Sequence, residues 1–176
     1  DGKRIITCSH NATAKIWNAE NGSQLHSLNI GDIPIDAHFN NNSSLAITVP
    51  LDEAAIKLWD TRNGQLLKSL TERDKGRFVR LSPNDEFILA TQDDNSAFLF
   101  NTSKGSKITL HELYGGISDA EFTINSKQLI VTTHSSKCQI YDTTTGEILY
   151  TISEPQDGAT DIDMATDGSY FVLSGK

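Results

Sequence analysis

The sequence predicts an all-β fold assembled from repeated four-stranded antiparallel units, and three observations carry that prediction. An aromatic anchor recurs at Trp17, Trp59, Phe100 and Tyr141, at spacings of 42, 41 and 41 residues. A glycine stands five residues after each anchor, at Gly22, Gly64, Gly105 and Gly146. Between these markers lie short runs of Ile, Val, Leu, Phe, Thr and Tyr broken by Gly, Asn, Asp and Ser, a pattern of strands joined by tight turns. No apolar period of 3.6 residues persists for three turns.

The repeat is plainest in "AAIKLWDTRNGQLLKSL" (Ala54 to Leu70), echoed by "ATAKIWNAENGSQLHSL" (Ala12 to Leu28). Weaker copies are "AFLFNTSKGSKITLH", with Phe100 in the tryptophan slot, and "CQIYDTTTGEILYTI", with Tyr141 there. Upstream of each anchor a polar turn precedes an apolar run: "DGKRII", "NNSSLAI", "PNDEFIL", "INSKQLI" and "TDGSYFVL". The turn-to-anchor distance is 15 residues from Gly2, 16 from Ser43, 15 from Asp85 and 15 from Ser126. The extra residue in the second copy falls near "TVPLDEAA", where Pro50 predicts an interrupted strand or a bulge. Turns containing "DG" and "NG" suit hairpins that need positive φ. In the first complete unit the expected strands are Ile35 to Phe39, Leu45 to Val49, Ala55 to Trp59 and Gln65 to Leu70.

A repeat of about 41 residues, four strands long, with a Trp-Asp pair closing the third strand resembles the WD-repeat family. "IKLWDTRNGQLLKSL" is the best single match, and the likeness runs along the whole chain. The resemblance implies a β-propeller, four-stranded blades set around a central channel, and a non-catalytic scaffold that presents loops and blade edges to partners. The sequence departs from the family at two places. The usual Gly-His pair is absent from "NIGDIP", "TERDKG", "YGGISD" and "SEPQDG", and the acidic residue six positions before the anchor is Asp94 in one repeat but Asn11, Glu53 and Ser135 in the others. Both departures touch the buried polar network that ties a blade together.

The expected organisation is a single propeller segment, residues 1–176, with repeats at 1–28 (partial), 29–70, 71–112, 113–152 and 153–176 (partial). "DGKRIITCSH" and "DGSYFVLSGK" share a register, so about four repeats are present and a larger propeller is expected. Blade faces left open at either end would need cover, from missing blades, a second copy of the chain or another subunit. Two four-blade chains closing one ring is the competing arrangement.

A formal net charge of −8 and a pI near 5.0 argue against nucleic acid as a direct partner, because Lys and Arg are scattered and form no stripe. No membrane span or targeting segment is read from the sequence. Two cysteines, Cys8 and Cys138, are expected as buried, reduced thiols. This favours an intracellular location, cytoplasmic before nuclear. The five histidines form no metal-ligand motif, and neither a nucleophile elbow nor a phosphate loop is present; no catalytic residue, cofactor or metal is assigned.

Two groups of candidate contact residues remain. Asp36, Asp119 and Asp161 occupy equivalent positions in the first strands "IDAHF", "SDAEF" and "TDIDM", whereas the third repeat has Phe78 there. In a propeller such strands line the channel, where the carboxylates would converge and favour a cation, water or a basic side chain. The alternative is that each Asp accepts a hydrogen bond from a neighbouring backbone or hydroxyl and simply secures the blade. The second group lies in loops expected on one rim: Glu72, Arg73 and Asp74 in "TERDKG", Asp93 and Asp94 in "QDDNS", and Tyr114 as an aromatic anchor beside two glycines. The acidic rim calls for a basic peptide or protein surface. A purely architectural module and a propeller enzyme with channel carboxylates are the alternatives to the scaffold reading.

Overall fold

The computed structural model describes residues 2–51, 55–70, 76–92, 96–135, 137–153 and 159–175, and among the described residues there are seventeen strands and no helix. The chain forms two compact units, residues 1–79 and 80–176.

In the first unit, β1 (Arg4–Ser9), β2 (Thr13–Asn18) and β3 (Gln24–Asn29) pair in that order. They are followed by a four-stranded sheet of β4 (Pro34–Phe39), β5 (Leu45–Pro50), β6 (Lys57–Asp60) and β7 (Gln65–Ser69). The unit boundary falls inside β8 (Gly76–Leu81), which forms a sheet with β9 (Phe87–Gln92), β10 (Ala97–Asn101) and β11 (Lys107–Leu110). The second unit continues with the four-stranded sheet β12 (Ile117–Phe122), β13 (Gln128–Thr133), β14 (Lys137–Asp142) and β15 (Ile148–Ser153), then the pair β16 (Ala159–Met164) and β17 (Phe171–Gly175). All the pairings with a defined register are antiparallel between consecutive strands, as in a propeller blade.

Burial explains the sequence pattern of the second strands. β5 and β13 are buried along almost their entire length, so both faces read as apolar runs without alternation. Sheet-to-sheet packing supplies core in each unit. In the first unit Ala14, Ile16, Leu28 and Ile30 pack with Ala46 and Trp59, and Ile6 and Phe39 close the edge. In the second unit Ile130, Cys138 and Ile140 meet Ile162, with Met164, Phe171 and Leu173 alongside. Each fully buried Leu, Ile or Phe side chain contributes roughly 1.5–3 kcal/mol.

The turns account for the repeated polar residues. Gly2, Ser43, Asp85, Ser126 and Gly168 all adopt left-handed φ, between 57° and 72°, at the same place in their hairpins. Ser43, Asp85, Ser126 and Gly168 donate their N–H to the carbonyl three residues back, at 2.7–2.9 Å. After each anchor, Asn18, Asp60, Asn101 or Asp142 folds back on the chain: its side-chain Oδ1 accepts one or two N–H groups of the following turn. Its carbonyl accepts the N–H of the glycine four residues on, at 2.8–3.0 Å. The aspartate of the Trp-Asp pair is therefore a turn cap, and asparagine serves equally because only an acceptor is required. Next along the chain, Thr61, Thr102 and Thr143 donate to the carbonyls of Ser43, Asp85 and Ser126, joining the two turns at one end of each blade.

The anchor itself shows what survives of the polar network. The indole N–H of Trp17 donates to Thr7 at 2.8 Å and that of Trp59 to Thr48 at 2.9 Å. Strand register places Ala90 and Val131 at the corresponding positions opposite the blades anchored by Phe100 and Tyr141. Where the anchor has no indole N–H, the hydroxyl acceptor is missing as well. Tyr141 turns its hydroxyl elsewhere, to the carbonyl of His111 at 2.6 Å and Oε1 of Gln139 at 3.1 Å. Burial, with the charge of Glu112 adding to it, raises the pKa of that phenol, which stays protonated as a donor.

Two expectations are corrected. Pro50 does not interrupt its strand; it ends β5 opposite Pro34, and the irregularity lies across the sheet, between Pro34 and Asp36. The same register shift occurs between Ile117 and Asp119 and between Ala159 and Asp161, so it belongs to the repeat and not to the proline. Cys8 is exposed, whereas Cys138 is buried. β1 carries a largely exposed pattern, which places its cysteine at the surface.

Candidate functional site

The three aspartates of the first strands are positioned by a shared device. A one-residue bulge precedes each of them, setting Asp36 opposite Val49, Asp119 opposite Thr132 and Asp161 opposite Ser174. A bulge re-aims the side chain that follows it and raises the local twist. Two residues further, on the same face of the strand by the period-2 rule, stand His38, Glu121 and Asp163, with Arg80 on β8.

In the first unit Asp36 and His38 form a local pair, Oδ2 to Nε2 at 2.8 Å. In the second unit the carboxylates gather. Asp119, with a side chain only 14% exposed, accepts the backbone N–H of Ile162 on β16 at 3.0 Å, and Arg80 lies 3.5 Å from its other oxygen. Glu121 feels the charge of Arg80 on one side and of Asp119, Asp163 and Asp161 on the other. Burial pushes the carboxyls of Asp119 and Glu121 above the usual carboxylate range; Asp161 adds to the rise at Asp119, while Arg80 opposes it at both.

A group whose pKa rises on folding stabilises the folded state on the acid side, and this contribution fades as pH climbs through the raised value. Stability carried by Asp119 and Glu121 is therefore present below about pH 4, the ordinary carboxylate range, and is lost toward neutrality. Asp119→Asn, which keeps an oxygen for the Ile162 N–H, should gain stability relative to the parent as pH rises from acid to neutral. Thermal melts of both proteins across that range provide the check, and parallel curves would show that Asp119 carries no proton linkage.

Asp36 is thus bonded within its own strand, while Asp119 takes its backbone hydrogen bond from the neighbouring sheet. Among the described residues no group of three or more His, Cys, Asp or Glu side chains could hold a metal ion. Glu72, Arg73, Asp74, Asp93 and Asp94 lie outside the described residues. Tyr114 is 64% exposed in the connection between β11 and β12. Sequence reasoning missed Arg80, Glu121 and Asp163, although the alternation of a strand marks the residue two beyond each aspartate as its neighbour. No helix of the described residues is long and apolar enough to cross a membrane.

Four-stranded antiparallel blades, an aromatic anchor at 41–42-residue spacing and an Asx-capped turn after each anchor are features this chain shares with WD-repeat proteins. No family model matches it. Among curated proteins it is similar, over its whole length, to eukaryotic translation initiation factor 3 subunit I of Eremothecium gossypii, at 25% identity and covering 56% of that protein. The same subunit of Vanderwaltozyma polyspora is 24% identical, again over all of this chain and 56% of the relative. Protein tipD of Dictyostelium discoideum is 35% identical over 65% of this chain and 19% of its own length. The chain thus spans a little over half the length of the initiation-factor subunits it matches.

Proposed function

We propose that this chain serves as a non-catalytic interaction scaffold within a multiprotein assembly, acting as a subunit of a translation initiation factor in the cytoplasm. The observation that carries the reading is similarity along the whole chain to initiation factor 3 subunit I, in a fold built of repeated blades. Stiff sheets joined by short polar turns suit the task, because loops fixed by a rigid scaffold bind with little ordering cost.

In this reading partner contacts fall to Glu72, Arg73, Asp74, Asp93, Asp94 and Tyr114 in the loops, and to Asp36, Asp119 and Asp161 on the first strands. The excess of acid at Asp119 and its neighbours suits a Lys or Arg side chain of a partner, which would join Arg80 in offsetting the carboxylates. Depletion of the protein in its source cells should move ribosomes from polysomes to monosomes, as slowed initiation does. An unchanged polysome profile after complete depletion would contradict a role in initiation.

A further inference from the structure

We propose that Tyr114 and Lys137 form a docking point for a carboxylate-bearing segment of a partner protein, an inference that rests on the scaffold reading. The connection between β11 and β12 is pinned at both ends. The Tyr141 hydroxyl holds the His111 carbonyl at 2.6 Å, Gly116 donates to Leu113 at 3.3 Å, and His134 donates to the Gly116 carbonyl at 3.0 Å. Gly115, at φ 80°, packs so closely on Ser135 that an added Cβ would lie 3.1 Å from its backbone nitrogen. Leu113 turns inward and is 7% exposed, while Tyr114 beside it is 64% exposed. A large aromatic ring held outward on a fixed loop loses little freedom on binding, and this is the signature of an interface anchor.

The chemistry of the partner follows from the groups at the ring. The Lys137 ammonium sits 5.8 Å from the Tyr114 centroid. Among the described residues it makes no ion pair, and the Tyr114 hydroxyl makes no hydrogen bond. A carboxylate placed between an ammonium and a phenolic O–H receives two charge-assisted hydrogen bonds, and its methylene stem can rest on the ring. A basic segment would meet the Lys137 charge and be disfavoured here, in contrast to the carboxylate cluster around Asp119.

The test places a benzoyl-phenylalanine cross-linker at position 111, an exposed neighbour, in the full-length protein within its own complex, leaving Tyr114 and Lys137 intact. The cross-linked partner peptide should carry Asp or Glu near the attachment point. Lys137→Glu and Tyr114→Ala should each lower the yield about tenfold, and exchanging the partner's acidic residue for Lys should restore it in the Lys137→Glu protein. A cross-link only to basic segments, no cross-link, or a yield indifferent to Lys137→Glu would overturn the proposal. Loss of the cross-link after phosphatase treatment would also overturn it, by identifying a phosphate as the anion. Co-purification of the complex reads the scaffold function separately: partners retained without an acidic cross-link refute the docking point alone.

Discussion

Replacing Gly146 with alanine is expected to destabilise the protein by about 3 kcal/mol, whereas the same change at Gly22 costs about 1 kcal/mol. Both glycines stand five residues after an aromatic anchor and share the left-handed conformation, with φ 74° at Gly146 and 71° at Gly22. The strain of placing an L-residue there is common to both. Their surroundings differ: a Cβ on Gly146 would come within 2.4 Å of Ile108 Cγ2, on the neighbouring sheet, but one on Gly22 meets nothing within 4 Å. Ile108 is β-branched and cannot swing that methyl away cheaply. Urea unfolding of the two variants measures the difference directly; equal losses would mean that β11 yields freely to the turn between β14 and β15.

The second large effect centres on Trp59, 5% exposed, whose N–H is bound by the fully buried Thr48. Trp59→Ala should cost about 4 kcal/mol through lost packing and the cavity left behind. The more informative experiment is a cycle. Thr48→Val alone strands a buried indole N–H and should cost about 2 kcal/mol. In the Trp59→Phe background the same change should cost far less, with a coupling of at least about 1 kcal/mol. That double variant reproduces the aromatic-plus-aliphatic pairing already present at Phe100 with Ala90. Strict additivity would show that the indole bond holds nothing in place.

The fold was legible because its signals are local and recur. The anchors, the glycines at left-handed φ and the turn residues each answer a backbone requirement within a few positions, and repetition separates them from chance. Strand limits shifted modestly: the third strand of the first complete unit spans Lys57–Asp60, where Ala55 to Trp59 was expected, since paired hydrogen bonds and not apolar character set its ends. Pro50 misled because a terminal proline and a bulge leave the same trace in spacing. Cys8 misled because alternation marks a face without saying whether another sheet covers it. The carboxylate cluster was half legible. Equivalence of Asp36, Asp119 and Asp161 follows from register, but their differing fates depend on neighbours, His38 for one and Arg80 with Ile162 for another. Lys137 left no trace in the sequence as a partner of Tyr114, because the contact joins a loop to a strand that begins 23 residues later.

Native mass spectrometry of the protein isolated from its own source, paired with denaturing spectra of the same sample, tests the scaffold assignment most directly. The account predicts an intact assembly in which this protein is one subunit at fixed stoichiometry, with other translation initiation factor subunits released on activation. A protein that appears alone, with no co-retained subunit under conditions that preserve other complexes, would contradict it.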